Sequence, residues 1–81
     1  MTYQFQHQWS DSKKIRTFNV RVEEGFSRVH AENRHYVFID DIARVQVCPE
    51  NSEGKTEREI AEYAFNRWVS KIEFIKAKYR G

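Results

Sequence analysis

The sequence of 81 residues is poor in cysteine, proline and glycine, with one, one and three of them. The single Cys48 excludes an internal disulfide, has no CxxC partner, and indicates a reducing compartment. The glycines are scattered, so no glycine-rich loop is present to hold a phosphate group, and no serine lies in a GxSxG nucleophile elbow. The sequence has no run of about 18 apolar residues and no signal-peptide-like start, which predicts a soluble, cytoplasmic protein.

Residues that carry metal or acid–base chemistry are few and poorly spaced. His7, His30 and His35 show neither the i, i+4 nor the short-loop spacing of metal ligands. Asp40 and Asp41 are adjacent, and adjacent strand residues point to opposite faces, so we interpret the pair as a solvated bend. We therefore predict no catalytic residue, no metal and no cofactor, and hence a protein that is not an enzyme.

The charge is nearly balanced, with 14 Lys and Arg against 12 Asp and Glu. A formal net charge of +2 is too small to specify a nucleic-acid partner, for which a dense basic stripe is expected. The aromatic residues, six Phe, four Tyr and two Trp, can each remove about 150–250 Å² from water. We therefore expect one folded domain over residues 1–81.

The first 48 residues predict an antiparallel meander of four or five strands joined by short turns. Apolar and polar residues alternate along most of these segments, which is typical of strands with one wet face. Glu24-Gly25 predicts a hairpin, Asp40-Asp41 a bend or bulge, and Pro49 with the polar loop after it ends the sheet. The predicted strands are residues 3–9, 15–22, 26–31, 35–39 and 42–48.

The last segment, residues 56–80, predicts a long amphipathic helix. Thr56 and Glu59 form a capping-box pattern, and acidic residues early with basic residues late match the helix dipole. An alternative ends the helix near Lys71 and makes residues 72–79 a final strand. The apolar stripe predicted to face the sheet is Ile60, Ala61, Ala64, Phe65, Trp68, Val69, Ile72, Ile75 and Tyr79. The predicted fold class is thus α+β, with an antiparallel sheet over residues 1–48 packed against one long C-terminal amphipathic helix.

A second stripe on this helix is the first candidate binding surface. Its residue types include Tyr, Arg and Phe, which are enriched at interfaces, although isolated exposed aromatics covered by Arg or Lys stems are also normal. A second candidate is a basic patch on the outer face of the sheet that would bind nucleic acid. The partner-binding candidates are Tyr63, Arg67, Ser70, Phe74 and Lys78. The nucleic-acid-binding candidates are Lys13, Lys14, Arg16, Arg21 and Arg28.

The segments TFNVRVEEGFSRVHA and VFIDDIARVQV, followed by the helix from Thr56, carry a resemblance to known proteins. Together they resemble the small accessory proteins of bacteriophages and mobile elements, of which the anti-CRISPR proteins are the best-known set. A second similarity, to bacterial pleckstrin-homology-like domains, is carried by IDDIARVQV ahead of a terminal helix containing Trp. The strands are too few for that sandwich. These resemblances transfer no functional residue.

The small size, the absence of catalytic groups and the second helical stripe predict a stoichiometric inhibitor, which would act in the host-cell cytoplasm if the protein is of the phage type. Such a protein would bind a larger host protein or ribonucleoprotein complex and block a surface sterically, here with Tyr63, Arg67 and Phe74 as anchors. Two other classes remain open from the residues alone. They are a nucleic-acid-binding module and a homodimer or larger homo-oligomer that self-associates through the helix stripe. None of the three involves a membrane.

Overall fold

The structure is a computed structural model that describes residues 2–79. Four strands form one antiparallel sheet in which each strand pairs with the next along the chain, in the order β1-β2-β3-β4. A short helix, α1, and a long one, α2, follow the sheet, which confirms the predicted α+β class. The elements are β1 (Thr2–Gln8), β2 (Ile15–Ser27), β3 (Glu32–Ile39), β4 (Ala43–Val47), α1 (Pro49–Ser52) and α2 (Glu57–Tyr79).

The predicted hairpin at Glu24-Gly25 is wrong, because β2 continues through both residues. Gly25 pairs with Arg34 of β3, and a Cβ atom placed on it would lie 3.4 Å from the Tyr36 ring. The glycine therefore lies within a continuous strand, beside the Tyr36 ring, instead of turning the chain. The turn comes later, at residues 28–31, so residues 26–31 are not a separate strand and the sheet has four strands.

The predicted bend at Asp40-Asp41 is confirmed as the turn between β3 and β4. Both residues have positive φ, 51° and 56°, as the central pair of a type I′ turn requires. The Ile42 amide donates to the Ile39 carbonyl at 3.0 Å, which closes the turn. The Asp40 carboxylate accepts the Asn19 amide hydrogen at 2.7 Å and so continues the contact with β2 beyond the end of β3.

The core lies between one face of the sheet and the first half of α2. Strand alternation places Phe18 and Val20 of β2 on this face, and Val37 and Ile39 of β3 beside them, all with 0% exposure. On the helix side the buried residues are Ile60, Ala61, Ala64, Phe65 and Val69. Small residues at positions 61 and 64 let the helix approach the sheet closely.

The helix begins with the predicted capping box. The Thr56 amide donates to Glu59 Oε1 at 3.1 Å, and the Glu59 amide donates to Thr56 Oγ1 at 3.2 Å. Thr56 is therefore the N-cap, and helical residues start at Glu57. The helix continues to Tyr79, so the alternative of a terminal strand over residues 72–79 is wrong. The predicted last residue, Arg80, lies outside the described residues.

The loop predicted after β4 contains a short helix. Pro49 occupies the first turn of α1, where its missing N–H costs nothing and its fixed φ suits a helix. The Asn51 amide group donates to Cys48 Sγ at 3.1 Å, so the half-buried cysteine accepts a hydrogen bond within this segment.

Candidate binding surface at the end of the terminal helix

Polar contacts join α2 to β1 and to the β1–β2 connection. Near its start, the Tyr3 hydroxyl donates to Glu57 at 3.2 Å, and burial, followed by the Glu57 charge, raises the pKa of that hydroxyl. Near the end of α2, Glu73 accepts the Ser10 amide hydrogen at 3.0 Å, and the Lys76 ammonium lies 2.9 Å from Asp11. The helix therefore runs alongside β1 and passes the connection between β1 and β2.

Between these two sets of polar contacts, aromatic rings pack in the space that separates α2 from the sheet. The Phe65 ring stacks on Phe5 with centroids 5.4 Å apart, and the Trp68 ring meets Trp9 edge-on at 5.7 Å. Phe18 contacts both helix rings from the sheet. Such pairs contribute about 0.5–1.5 kcal/mol each beyond the area they bury, so the middle of α2 is held firmly.

The last turns of α2 extend beyond this cluster. Phe74 is 70% exposed, Ile75 39% and Tyr79 79%. The predicted core positions of Ile75 and Tyr79 are therefore wrong. A helix of 23 residues is about 34 Å long, whereas the seven-residue β1 spans about 24 Å. We call Phe74, Ile75, Lys78 and Tyr79 the projecting end.

The other exposed apolar side chains do not join the projecting end. Ile15, the first residue of β2, is 64% exposed, and strand alternation points it to the face of the sheet away from the helix. Ile42, 68% exposed in the β3–β4 turn, lines a cavity with Thr2 at the start of β1. Phe26 and Val29 lie around the β2–β3 turn, at the opposite end. Three of the seven exposed large hydrophobic residues among residues 2–79 therefore belong to the projecting end.

Four of the five residues of the predicted helix stripe are exposed, and Tyr63 is the exception. Arg67, Ser70, Phe74 and Lys78 are exposed, as the helical spacing predicted. Tyr63 is half-buried and packs against the core. Its hydroxyl accepts a hydrogen bond from Arg67 at 2.9 Å, and the Lys55 ammonium lies 4.2 Å from its ring centroid, so its polar atom and one ring face are occupied within the chain.

Besides Lys76, Glu73 holds the last covered turns of α2 against the β1–β2 connection. Its Oε1 accepts from the Ser10 amide and lies 3.5 Å from His7 Nε2. The hydrogen bonds from Ser10, and to a smaller extent from His7, lower the pKa of the Glu73 carboxyl from 4.5 to about 2. The carboxylate is the charged form that these donors stabilise.

The predicted basic patch is not a single surface. Arg16 lies 3.4 Å from Asp40, and Arg21 lies 3.5 Å from both Glu23 and Asp41. Lys13 and Lys14 lie in the β1–β2 connection, but Arg28 lies in the β2–β3 turn at the opposite end of the sheet. Two of the five predicted cations are therefore paired with carboxylates, and one is separated from the rest.

The histidines and the cysteine lie apart from one another. His7 contacts Glu73, His35 lies 3.7 Å from Glu24, and His30 belongs to the β2–β3 turn. Within residues 2–79, no group of three or more His, Cys, Asp or Glu side chains is arranged to hold a metal ion. In the same part of the chain, no helix has both the length and the apolar character of a membrane span.

The sequence patterns identified Phe74 and Lys78 as exposed but placed Ile75 and Tyr79 in the core. Helical periodicity carries no signal for this difference, because it continues along α2 whether or not the sheet still lies against the helix. Comparison of the chain with protein-family models, curated proteins and solved structures found no match.

Proposed function

We propose that this chain is a non-enzymatic binding protein that docks on a larger protein through the projecting end of α2. Bound there, it would cover a surface of that protein and block it sterically, as expected of a phage-type inhibitor. The observation that carries the proposal is the grouping of three exposed large apolar side chains, Phe74, Ile75 and Tyr79, on the last turns of α2. Grouped apolar residues on a small protein mark interaction sites, whereas scattered ones do not.

The chemistry of the projecting end suits a protein surface. Phe74 and Tyr79 present large rings at 70% and 79% exposure, and such side chains act as anchors when they fill a partner's pocket. Lys78 lies between them on the helix and supplies a charge at the rim, which favours orientation more than affinity. Tyr63 is not among the proposed anchors because its hydroxyl is engaged by Arg67.

The test compares two double variants that each remove two exposed apolar side chains. Phe74→Ser with Tyr79→Ser changes the projecting end, and Phe26→Ser with Val29→Ser changes the opposite end. All four side chains are at least 64% exposed, so both variants should remain folded, as far-UV circular dichroism can verify. Each immobilised protein is exposed to lysate of the cells that encode it, and the captured protein is then purified for titration.

The proposal expects the projecting-end variant to lose at least about tenfold in affinity for the purified partner, while the opposite-end variant keeps wild-type affinity. Equal binding by all three proteins would overturn it. Sedimentation of the free protein gives an independent result. A dimer that only the projecting-end variant dissociates would assign this surface to self-association and would also overturn the proposal.

A further inference from the structure

A second surface, separate from the projecting end, lies along β4. This strand pairs only with β3 and is an edge of the four-stranded sheet. On its outer side, alternate backbone N–H and C=O groups of Ala43–Val47 have no strand to pair with among residues 2–79. An open edge of this kind can accept an extended chain as an added strand.

A groove of about 600 Å³ follows this edge between β4 and α2. Side chains of consecutive strand residues point to opposite faces, so a groove touched by three consecutive residues of β4 must run past the strand backbone. On the helix side, the half-buried Trp68 offers part of its indole. The lining residues are Arg44, Val45, Gln46, Arg67, Trp68 and Lys71.

The charged residues of the groove are all cations, and no carboxylate lines it. The Arg44 guanidinium lies over the Tyr36 ring at 5.5 Å, and Arg67 donates to the Tyr63 hydroxyl. These neutral partners hold the side chains without cancelling their charge. Arg16, Arg21, Arg34 and Lys76, in contrast, are all within ion-pair distance of carboxylates.

We infer that the groove between β4 and α2 binds an extended acidic peptide segment of a partner protein, which adds to the sheet as a fifth strand beside β4. Its backbone pairs with the free edge of β4. Its carboxylates face Arg67 and Lys71, and its apolar side chains rest on Trp68 and Val45. The inference does not depend on the projecting end, which lies further along α2.

Two other occupants fit the same observations less well. A nucleic-acid strand would satisfy the cations, but its backbone offers no N–H and C=O ladder to the open edge. A second copy of this chain paired β4 to β4 would bring Arg44, Arg67 and Lys71 close to their own symmetry mates, because a two-fold interface joins a surface to itself. Like charges facing each other across strands are destabilising.

The experiment uses fluorescein-labelled peptides with blocked ends, in which Glu or Asp alternates with Val, Ile or Thr. β4 has five residues, so peptides of about six residues cover the edge. Controls are the same peptides with Lys in place of the acids, the acidic peptides with alternate backbone nitrogens methylated, and a thymidine hexanucleotide. Binding to the full chain is followed by fluorescence anisotropy at two salt concentrations.

We expect the acidic peptides to bind saturably and to protect the backbone amides of β4 from hydrogen exchange. We also expect at least about tenfold weaker binding of the basic and methylated peptides and of the oligonucleotide. Arg67→Glu with Lys71→Glu should weaken acidic-peptide binding at least about tenfold. Lys78→Glu, a charge reversal on the same helix outside the groove, should leave it unchanged.

Several results would overturn the inference. They are absence of saturable binding by every acidic peptide up to about 1 mM, equal binding of the methylated peptides or the oligonucleotide, and no effect of the Arg67 and Lys71 reversals. The Phe74→Ser, Tyr79→Ser variant separates this inference from the proposed function. It should bind the acidic peptides like the wild type even if its docking on a larger protein is lost.

Discussion

The two halves of α2 have similar spacing of apolar residues but different surroundings. Through Val69 the apolar positions are buried or pack against the core, whereas Phe74 and Tyr79 are largely in solvent and Ile75 is 39% exposed. Both halves keep helical apolar spacing and charged residues between the apolar ones. Apolar periodicity therefore predicts which side of a helix faces the core, but not how far along the helix a core exists.

The largest expected contrast comes from the same substitution in each half. Phe65 is 3% exposed and stacks on Phe5, so Phe65→Ala should cost about 3–5 kcal/mol of unfolding free energy through lost burial and a cavity. Phe74 is 70% exposed, so Phe74→Ala should change stability by no more than about 0.5 kcal/mol. Urea denaturation followed by circular dichroism measures both.

The milder Phe65→Leu keeps the comparison measurable if the alanine variant is largely unfolded. Phe65→Leu should lose less unfolding free energy than Phe65→Ala but clearly more than Phe74→Leu. Comparable losses at positions 65 and 74 would show that the two halves of α2 are equally covered, which would contradict the structure.

A smaller effect is expected at the start of the helix. Thr56→Ala removes the oxygen that accepts the Glu59 amide hydrogen, which should cost about 1 kcal/mol. Thr56→Ser keeps that oxygen and should stay close to the wild type. Native-state hydrogen exchange should speed up in the first turn of α2 in the alanine variant, because the cap holds that turn. Faster exchange confined to the last turns would contradict this assignment.

The smallest effect concerns Glu73, at the boundary between the two halves. Its pKa is about 2 in the folded chain against an ordinary 4.5, so the folded state favours the carboxylate. The resulting stabilisation is fully present above pH 4.5 and is lost as the pH falls towards 2. Glu73→Gln should therefore flatten the fall of unfolding free energy in this range.

Some acid sensitivity should remain in the Glu73 variant, because hydrogen bonds from Thr56 also lower the pKa of Glu59. Glu62→Gln, an exposed position on the same helix, is the matched control and should keep the wild-type slope. Urea midpoints at several pH values from 2 to 5 compare the three proteins. An unchanged slope in Glu73→Gln would contradict the contact with Ser10.

The parts of the fold that were predictable are those that depend on neighbours along the chain. The capping box needs only Thr56 and Glu59, and both of its hydrogen bonds are present. Strand alternation likewise placed Phe18, Val20 and Val22 on the buried face. The failure at Glu24-Gly25 has a non-local cause, because pairing with His35 and Arg34 of β3 keeps both residues in the strand.

The candidate surfaces were predictable only in part, for a related reason. Helical spacing placed Arg67, Ser70, Phe74 and Lys78 on an exposed line, and all four are exposed. It could not show that the Tyr63 hydroxyl accepts a hydrogen bond from Arg67. The five cations assigned to one patch are scattered, because ion pairing and position depend on where the strands end and the turns fall.

Local sequence determined the class of this protein: a meander of alternating strands and one capped, amphipathic helix, since period, caps and turns involve residues close along the chain. Tertiary structure decided which side chains are free to bind. The sheet and the β1–β2 connection contact α2 as far as Lys76, and Phe74 and Tyr79 are left largely in solvent. It also leaves the β4 edge open beside Arg67 and Lys71. Both surfaces result from the unequal lengths and positions of packed elements, which no single segment encodes.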